Sequence, residues 1–331
     1  MAEATIRDVA MRAQLSVATV SRALNGFENV SGEARARIAA AVKDLGYVPH
    51  AGARSLSLSR NNALGVVLPD LHGEFFSEFV RGMDREASRN GYLLLLSNFH
   101  GRGDQAANVL RAMRGRVDGL IVMAPHLAAD ELAASLPKGL PSVLINTREG
   151  PDHHPAIHLD NATGVRAVVD HLADLGRKRL VHIAGPAGNF DAQERAAAFR
   201  QAVAARKLIG KIVHGDFEVQ SGEAAIATLL SQGTRFDAIF AANDNMAIGA
   251  MQALRDAGLT IPGDVAVAGF DDIPLARHLG LTTVRVRIAE LGERAVARLL
   301  DSLSREERTG DERHEPELVT RSTTVADRNT K

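Results

Sequence analysis

Planar polar and aromatic residues recur just after short apolar runs in the larger, C-terminal part of the chain. Phe75 and Phe76 follow the run 64–68, and Asn189, Asp191 and Arg195 follow Gly185-Pro186. Phe217 follows 211–214, Asn243 and Asp244 follow Phe240, and Asp271 and Asp272 follow Gly269. Aromatic rings stack on C–H faces, while amide, carboxylate and guanidinium groups exchange hydrogen bonds with hydroxyls. The set therefore suits a small polar ligand with C–H faces, such as a sugar. Local alternatives stand beside this reading: Asp191 can cap the helix that follows, and Phe217 can belong to the core.

A second set lies near the N-terminus. If Val20 and Leu24 face a helical core, Val17, Ala18, Ser21 and Arg22 face outward. Val17 and Ala18 suit contact with a thymine methyl, and Arg22 can donate two hydrogen bonds to guanine O6 and N7. Thr5, Ser16 and Thr19 suit phosphate contact or helix capping. The plain alternative is a small helical bundle with no role on DNA.

Composition narrows the chemistry. The chain has 331 residues, 45% of them hydrophobic, enough for sizeable cores. With no cysteine there is no disulfide, thiolate metal site or cysteine nucleophile. No G-x-x-x-x-G-K-[ST], G-x-S-x-G or H-E-x-x-H occurs. The G-x-G-x-x-A stretch from Gly101 to Ala106 follows the second strand of its series and reads as a surface turn, and His153, His154 and His158 lack metal-ligand spacing. Neither a cofactor nor a metal is expected. Without a signal peptide or an apolar run of about 20 residues, a soluble, cytoplasmic protein with no membrane partner is expected. Residues 1–62 hold eight Lys/Arg against five Asp/Glu, while the whole chain is at −1. A mildly basic head on an acidic body suits phosphate contact by the head alone.

The elements that must position these residues follow from periodicity. Thr5 and Asp8 form a capping-box pair ahead of a face made by Ile6, Val9, Ala10 and Ala13. After a turn at Ala13-Gln14-Leu15, Ser16 caps a second helix reaching about Leu24, with Leu15 and Val20 as its hydrophobic staple. Ser31 opens a third helix, whose seam is Ile38, Val42 and Leu45 and whose stop is Gly46. Pro49 marks a boundary, and 50–60 reads as a linker able to become a short helix. From residue 63 short β-like runs (64–68, 93–96, 119–123, 142–145) alternate with helices at 74–90 and 105–114. After Asn161 the series restarts: helices at 163–175, 193–206 and ahead of 238, strands at 180–184, 211–214, 238–241, 265–268 and 282–286, and a last helix over 289–303. Alternating β and α predicts doubly wound parallel sheets covered on both faces, in two lobes with a cleft at the strands' carboxyl ends.

Ala4-Thr5-Ile6-Arg7-Asp8-Val9-Ala10, Leu15-Ser16-Val17-Ala18-Thr19-Val20-Ser21-Arg22-Ala23-Leu24-Asn25, Gly46-Tyr47-Val48-Pro49 and Ala53-Arg54-Ser55-Leu56 come in an order and spacing that resemble the LacI/GalR repressor family. The resemblance continues through Gly185-Pro186, Arg195, Asn243-Asp244, Met246-Ala247, Gly249 and Gly269-Phe270-Asp271-Asp272. It implies an all-α helix-turn-helix head over 1–48, a hinge over 49–61 and a two-lobed, type I periplasmic-binding-protein-like α/β core over 62–331. The N-lobe would take about 62–160 and 289–314, and the C-lobe about 161–288 and 315–331. It also implies a homodimer on near-palindromic operator DNA, with Asn25 and Arg54 joining the DNA contacts. A hinge that folds on DNA would wedge Leu56 into the minor groove. Ser57 stands where several members carry a basic residue, and Gly52 lowers helix propensity within the hinge by about 1 kcal/mol relative to alanine. By resemblance the cleft contacts are Phe75, Asn146, Asn189, Asp191, Arg195, Phe217, Asn243 and Asp271. Asn189 and Asp191 differ from the residues of purine-sensing members and favour a sugar, polyol or sugar acid as effector.

The expected function is a ligand-responsive, sequence-specific transcriptional regulator, a repressor rather than an enzyme. A transport-type binding protein would share the core but not the head, and a sugar-directed enzyme would need a nucleophile, metal set or phosphate loop. No leucine heptads follow the strand-like stretch near Glu317, so a helical tetramer is not expected.

Overall fold

The computed structural model describes residues 4–27, 29–48, 60–99, 103–147, 154–304 and 310–325. The chain divides into two compact units, one of residues 1–63 with 116–118, the other of 64–115 with 119–331.

The first unit holds α1 (Ile6–Ala13), α2 (Val17–Leu24) and α3 (Gly32–Leu45). Each helix starts at a side-chain cap read from the sequence. Thr5 and Asp8 form a reciprocal capping box, Ser16 Oγ accepts from Thr19 N–H at 3.1 Å, and Ser31 Oγ accepts from Ala34 N–H at 3.3 Å. Gly46 ends α3 in the left-handed region, at φ 58°. Gln14, at φ 53°, makes the tight turn between α1 and α2. Arg37 clamps that turn by donating to the carbonyls of Ala13 at 2.5 Å and Gln14 at 3.1 Å. Val9, Ala10, Ala13, Val20, Ile38 and Ala41 form the core, with Leu15 packed on it as the staple requires. On α3 the fully buried partner of Ile38 is Ala41, whereas Val42 and Leu45 are half-buried.

In the second unit, β1 (Ala63–Leu68), α4 (Glu74–Arg89), β2 (Leu93–Asn98), α5 (Gly103–Met113), β3 (Gly119–Met123), α6 (Ala129–Ser135), β4 (Ser142–Ile145) and β5 (Ala156–Leu159) form the first α/β series. The second contains α7 (Asn161–Asp174), β6 (Arg179–Ala184), α8 (Phe190–Ala205), β7 (Ile209–His214), α9 (Val219–Ser231), β8 (Ala238–Ala241), α10 (Asp244–Asp256), β9 (Ala266–Ala268), α11 (Pro274–His278) and β10 (Thr283–Arg285). The chain then returns through α12 (Ile288–Ser304), β11 (Glu312–His314) and β12 (Glu317–Val319). One six-stranded sheet runs β11-β5-β4-β3-β1-β2, one four-stranded sheet runs β7-β6-β8-β9, and β10 pairs antiparallel with β12. Register is parallel in both large sheets, for example Leu64 with Gly119 and Leu180 with Ala238. The inner strands β3, β4 and β8 are buried throughout, as parallel strands covered on both faces must be, and the short edge strand β9 is buried as well.

Differences from the sequence pattern are local. Gly103 to Ala106 form the first turn of α5 and not a surface turn, with Ala106 buried; residues 100–102 lie outside the described residues. Helix α7 starts two residues before Thr163 because Asp160 Oδ1 accepts from Thr163 N–H at 3.0 Å. The pattern does not announce α6, α10, α11, β5 or β11. Two helix pairs pack backbone to backbone through glycines. A Cβ on Gly82 of α4 would lie 1.9 Å from the Ala289 carbonyl oxygen, and one on Gly292 of α12 would lie 2.3 Å from that of Phe79. Between α9 and α10, a Cβ on Gly222 would lie 2.1 Å from the Met246 carbonyl oxygen and one on Gly249 would lie 1.9 Å from that of Val219.

Gly249→Ala is therefore expected to force α9 from α10 and destabilise the chain by about 1–3 kcal/mol in denaturant titration. A loss below about 0.5 kcal/mol would mean the helices separate freely.

Candidate functional site

The reading surface is built by the capping of α2. Ser16 Oγ takes the Thr19 N–H and lies 2.8 Å from Thr19 Oγ1, which fixes the helix start directly after the turn. Val20 is then fully buried, and Val17, at 42% exposed, stands on the outer face with Ala18 and Arg22, also exposed. Ser21, Thr19 and Asn25 are half-buried at its edges, and Asn25 Nδ2 approaches Ser21 Oγ at 3.4 Å. Thr5 is exposed, but its Oγ1 donates to Asp8 at 2.7 Å and holds the Asp8 carboxyl below its ordinary range. Several charges of the head are used internally: Arg12 pairs with Asp44 at 2.8 Å, and Arg35 and Arg37 donate to backbone carbonyls. Arg54 and Leu56, like Gly52 and Ser57, lie outside the described residues.

A cleft of about 1020 Å³, counting its open mouth, lies in the second unit. Loops after β1, β3, β4, β6, β7, β8 and β9 converge on it, at the carboxyl ends of parallel strands. Phe75, Phe76, Asn146, Asn189, Asp191 and Arg195 line it, and so do Phe217, Asn243 and Asp271. Asp244 and Asp272 are not among its lining. Asp244 is fully buried, accepting from Thr283 Oγ1 at 2.5 Å and Ile273 N–H at 2.9 Å, whereas Asp272 binds Arg285 at 2.7 Å and Arg321 at 2.6 Å.

The floor is a buried polar network. Arg195 is 5% exposed; its Nε donates to Asn161 Oδ1 at 2.8 Å and its Nη1 to the Ala242 carbonyl at 2.5 Å. The guanidinium lies 3.7 Å from the centre of the Phe270 ring and 3.8 Å from Asp271 Oδ1. Asn161 Nδ2 donates to Asp191 at 2.8 Å and to Glu194 at 2.9 Å. Asn146 accepts from Leu159 N–H at 3.0 Å and bonds Asp191. Burial raises the Asp191 carboxyl, against the pull of Arg195, and raises Glu194 likewise. Burial pushes Asp271 up to about 7. Asp244 is raised well above the carboxylate range, first by burial and then by the neighbouring Asp271 charge.

The aromatic wall is held with similar care. Phe75 and Phe76 pack edge to face, with ring centres 5.3 Å apart, at the start of α4. Phe217 sits at φ 76°, a region costly for a bulky residue. Asn243 holds it there: Nδ2 donates to the Phe217 carbonyl at 2.8 Å while Oδ1 caps α10 through Met246 N–H at 3.0 Å. A Cβ on Gly185 would meet the Phe217 ring at 2.4 Å, so only glycine leaves it room. Asn189 likewise caps α8 through Ala192 N–H at 3.0 Å, a role that Asp191, one of the two expected alternatives, does not take. The sequence reading missed Asn161, Asp70, His126 and Asp216. The last three follow strand ends just as the chosen residues do, whereas Asn161 looks only like the restart of the series. His126 bonds the Gly188 backbone, and desolvation holds its imidazole below the ordinary value. Beyond the cleft, His158 lies 3.6 Å from Asp311, and His153 is outside the described residues.

Residues 5–50 match the family model for bacterial regulatory proteins of the lacI family, and residues 169–324 match that for a periplasmic binding protein-like domain. The ribose operon repressor of Escherichia coli is 35% identical over 309 residues, covering 91% of this chain and 93% of the repressor. The transcriptional repressor CytR of Escherichia coli is 30% identical over 331 residues, covering 98% of this chain and 97% of that protein. The lac repressor dimer bound to operator and an anti-inducer has a TM-score of 0.89 at 28% identity, covering 98% of this chain and 100% of that one. A helix-turn-helix head joined to a two-sheet, binding-protein-like α/β core defines a DNA-binding transcriptional regulator. The chain belongs to the LacI family.

The raised Asp271 carboxyl carries a pH signature. Its folded value, about 7, lies above the ordinary 3.8, so the unfolded chain gives up this proton first as pH rises. Burial of Asp271 thus opposes folding increasingly between pH 4 and 7 and by a constant amount above. The stability of Asp271→Asn relative to the native chain is expected to improve by roughly 2–4 kcal/mol between pH 4 and pH 8 in urea titrations. A difference that stays flat or falls with pH would contradict the assignment.

Proposed function

We propose that this regulator is a cytoplasmic repressor whose head grips operator DNA and whose cleft takes a sugar, polyol or sugar acid that alters that grip. The observation that carries the first half is the opposite burial of neighbours on α2: Val20 is inside, while Val17, Ala18 and Arg22 are presented outside. In this reading those three, with Ser21 and Asn25, meet base edges, and Thr5, Ser16 and Thr19 meet phosphates, sharing their capping bonds. Arg54 and Leu56 would extend the contact from a hinge over 49–61, between a head of 1–48 and a core of 62–331.

A homodimer completes the reading, placing two α2 helices about one helical turn apart on a near-palindromic site. The edge strand β2 supports it, since Leu93 is 75% exposed and Leu95 and Leu96 are each 39% exposed. The cleft residues support the effector half, with aromatic faces on one side and a fixed guanidinium, amides and carboxylates on the other. The similarity to the ribose operon repressor over nearly the whole chain supports a sugar as effector. The cleft is read as a binding site without turnover. Ligand would draw the two lobes together and shift the dimer between DNA-gripping and released forms, by no more than its differential affinity for them, typically about 1–3 kcal/mol.

The test is selection of operator sequences from a random DNA pool at moderate salt, followed by titration of Arg22→Ala. The variant is expected to lose about 1–3 kcal/mol on the selected site and to relax preference at one base pair per half-site. Native protein that shows no preference over random DNA, with or without sugars, would overturn the proposal.

A further inference from the structure

We infer that the cleft accepts polyhydroxyl ligands that carry no carboxylate or phosphate, and rejects their anionic analogues. This rests on the reading of the cleft as an effector site and narrows the ligand class within it.

The charge balance of the lining is one-sided. Among the described residues, Asp70, Asp191, Asp216, Glu218 and Asp271 line the cleft against a single guanidinium, that of Arg195. Arg195 is not available as an anion receptor in the ordinary sense. Its Nε is bound by Asn161, its Nη1 by the Ala242 carbonyl, its face by Phe270, and Asp271 stands 3.8 Å away. An incoming carboxylate or phosphate would have to compete with a carboxylate the protein already holds there. Desolvation holds the half-buried His126 toward its neutral form, so it adds no fixed positive charge. His72 lies exposed at the mouth.

The backbone would otherwise favour an anion. The N-termini of α4, α8, α9 and α10 all open near the cleft, and helix N-termini attract negative charge. Each of these helices already carries an acidic residue of the chain at its start or in its first turn. Glu74 stands in the first turn of α4, Asp191 in that of α8 and Asp244 in that of α10, while Glu218 is the residue from which α9 starts. The caps Asn189 and Asn243 also take up the N–H groups of Ala192 and Met246. A ligand hydroxyl can donate to the carboxylates that line the cleft, such as Asp191 and Glu218, and accept from N–H donors, whereas an anionic group can only accept. The arrangement therefore discriminates by hydrogen-bond direction as well as by charge.

The experiment uses the full chain and matched probes in isothermal titration at pH 8: D-ribose with D-ribose 5-phosphate, and D-galactose with D-galacturonate. At least one uncharged sugar is expected to bind, with its anionic partner at least tenfold weaker. In Asp191→Asn, which keeps an acceptor for Asn161, that ratio is expected to fall at least threefold, and lowering the pH to 6 should narrow it in the native chain. An anionic probe that binds as tightly as its uncharged partner would overturn the inference while leaving the sugar reading intact. If Asp191→Asn binds neither member of a pair, the native ratio alone decides. If no probe of either kind binds the native chain, the effector reading fails and this inference falls with it.

Discussion

A guanidinium can be buried only if nearly all of its donors and its charge are answered nearby. Arg195 is answered from four parts of the chain: Asn161 at the start of α7, the Ala242 carbonyl after β8, the Phe270 ring and Asp271 after β9. Because these come from separate loops, satisfying one side chain fixes the relative positions of the strand ends that form the cleft. Asn161 extends the constraint by holding Asp191 and Glu194 on α8 with its other amide atom. The cleft is thus held in shape by the chain itself, which would lower the ordering cost of binding the proposed effector.

The network carries a cost of its own. Asp271 and Asp244 are two buried carboxyls, both raised by burial, and the Asp271 charge further disfavours ionisation of Asp244. Phe217 is held at a positive φ by the Asn243 amide, and Gly185 gives up a side chain to make room for its ring. Strained backbone and unfavourable charge persist only where the surrounding packing over-determines them. That packing comes from the glycine contacts of α4 with α12 and α9 with α10, and from fully buried strands such as β3 and β8.

Much of this was legible from residue types. Caps announce themselves because Thr5, Ser16 and Ser31 do the same local work in any context, and the buried strands stand out as unbroken apolar runs. The cleft aromatics and planar groups were legible from the rule that ligands gather at strand carboxyl ends, together with the family resemblance. What escaped depends on contacts distant in sequence. Nothing near Asn161 says that it will meet Arg195 and Glu194, more than thirty residues away. Asn243 reads as a ligand group, yet both its amide atoms are engaged by α10 and Phe217. Asp272 differs from Asp271 by one position but turns to Arg285 and Arg321, and both aspartates sit at positive φ, which the residue pattern does not announce. Helix α10 was hidden by its polar start, Asn243-Asp244-Asn245, which resembles a loop until its capping bond is seen.

In the proposed function the Arg195 network makes the cleft a ligand sensor and takes no part in reading DNA. Operator titration of Arg195→Met, with and without the sugar that binds the native chain, tests it most directly. The account predicts operator affinity within about threefold of native and no response to the sugar, about threefold being less than 1 kcal/mol. A folded variant that still answers the sugar as the native protein does, or that loses the operator altogether, would contradict it.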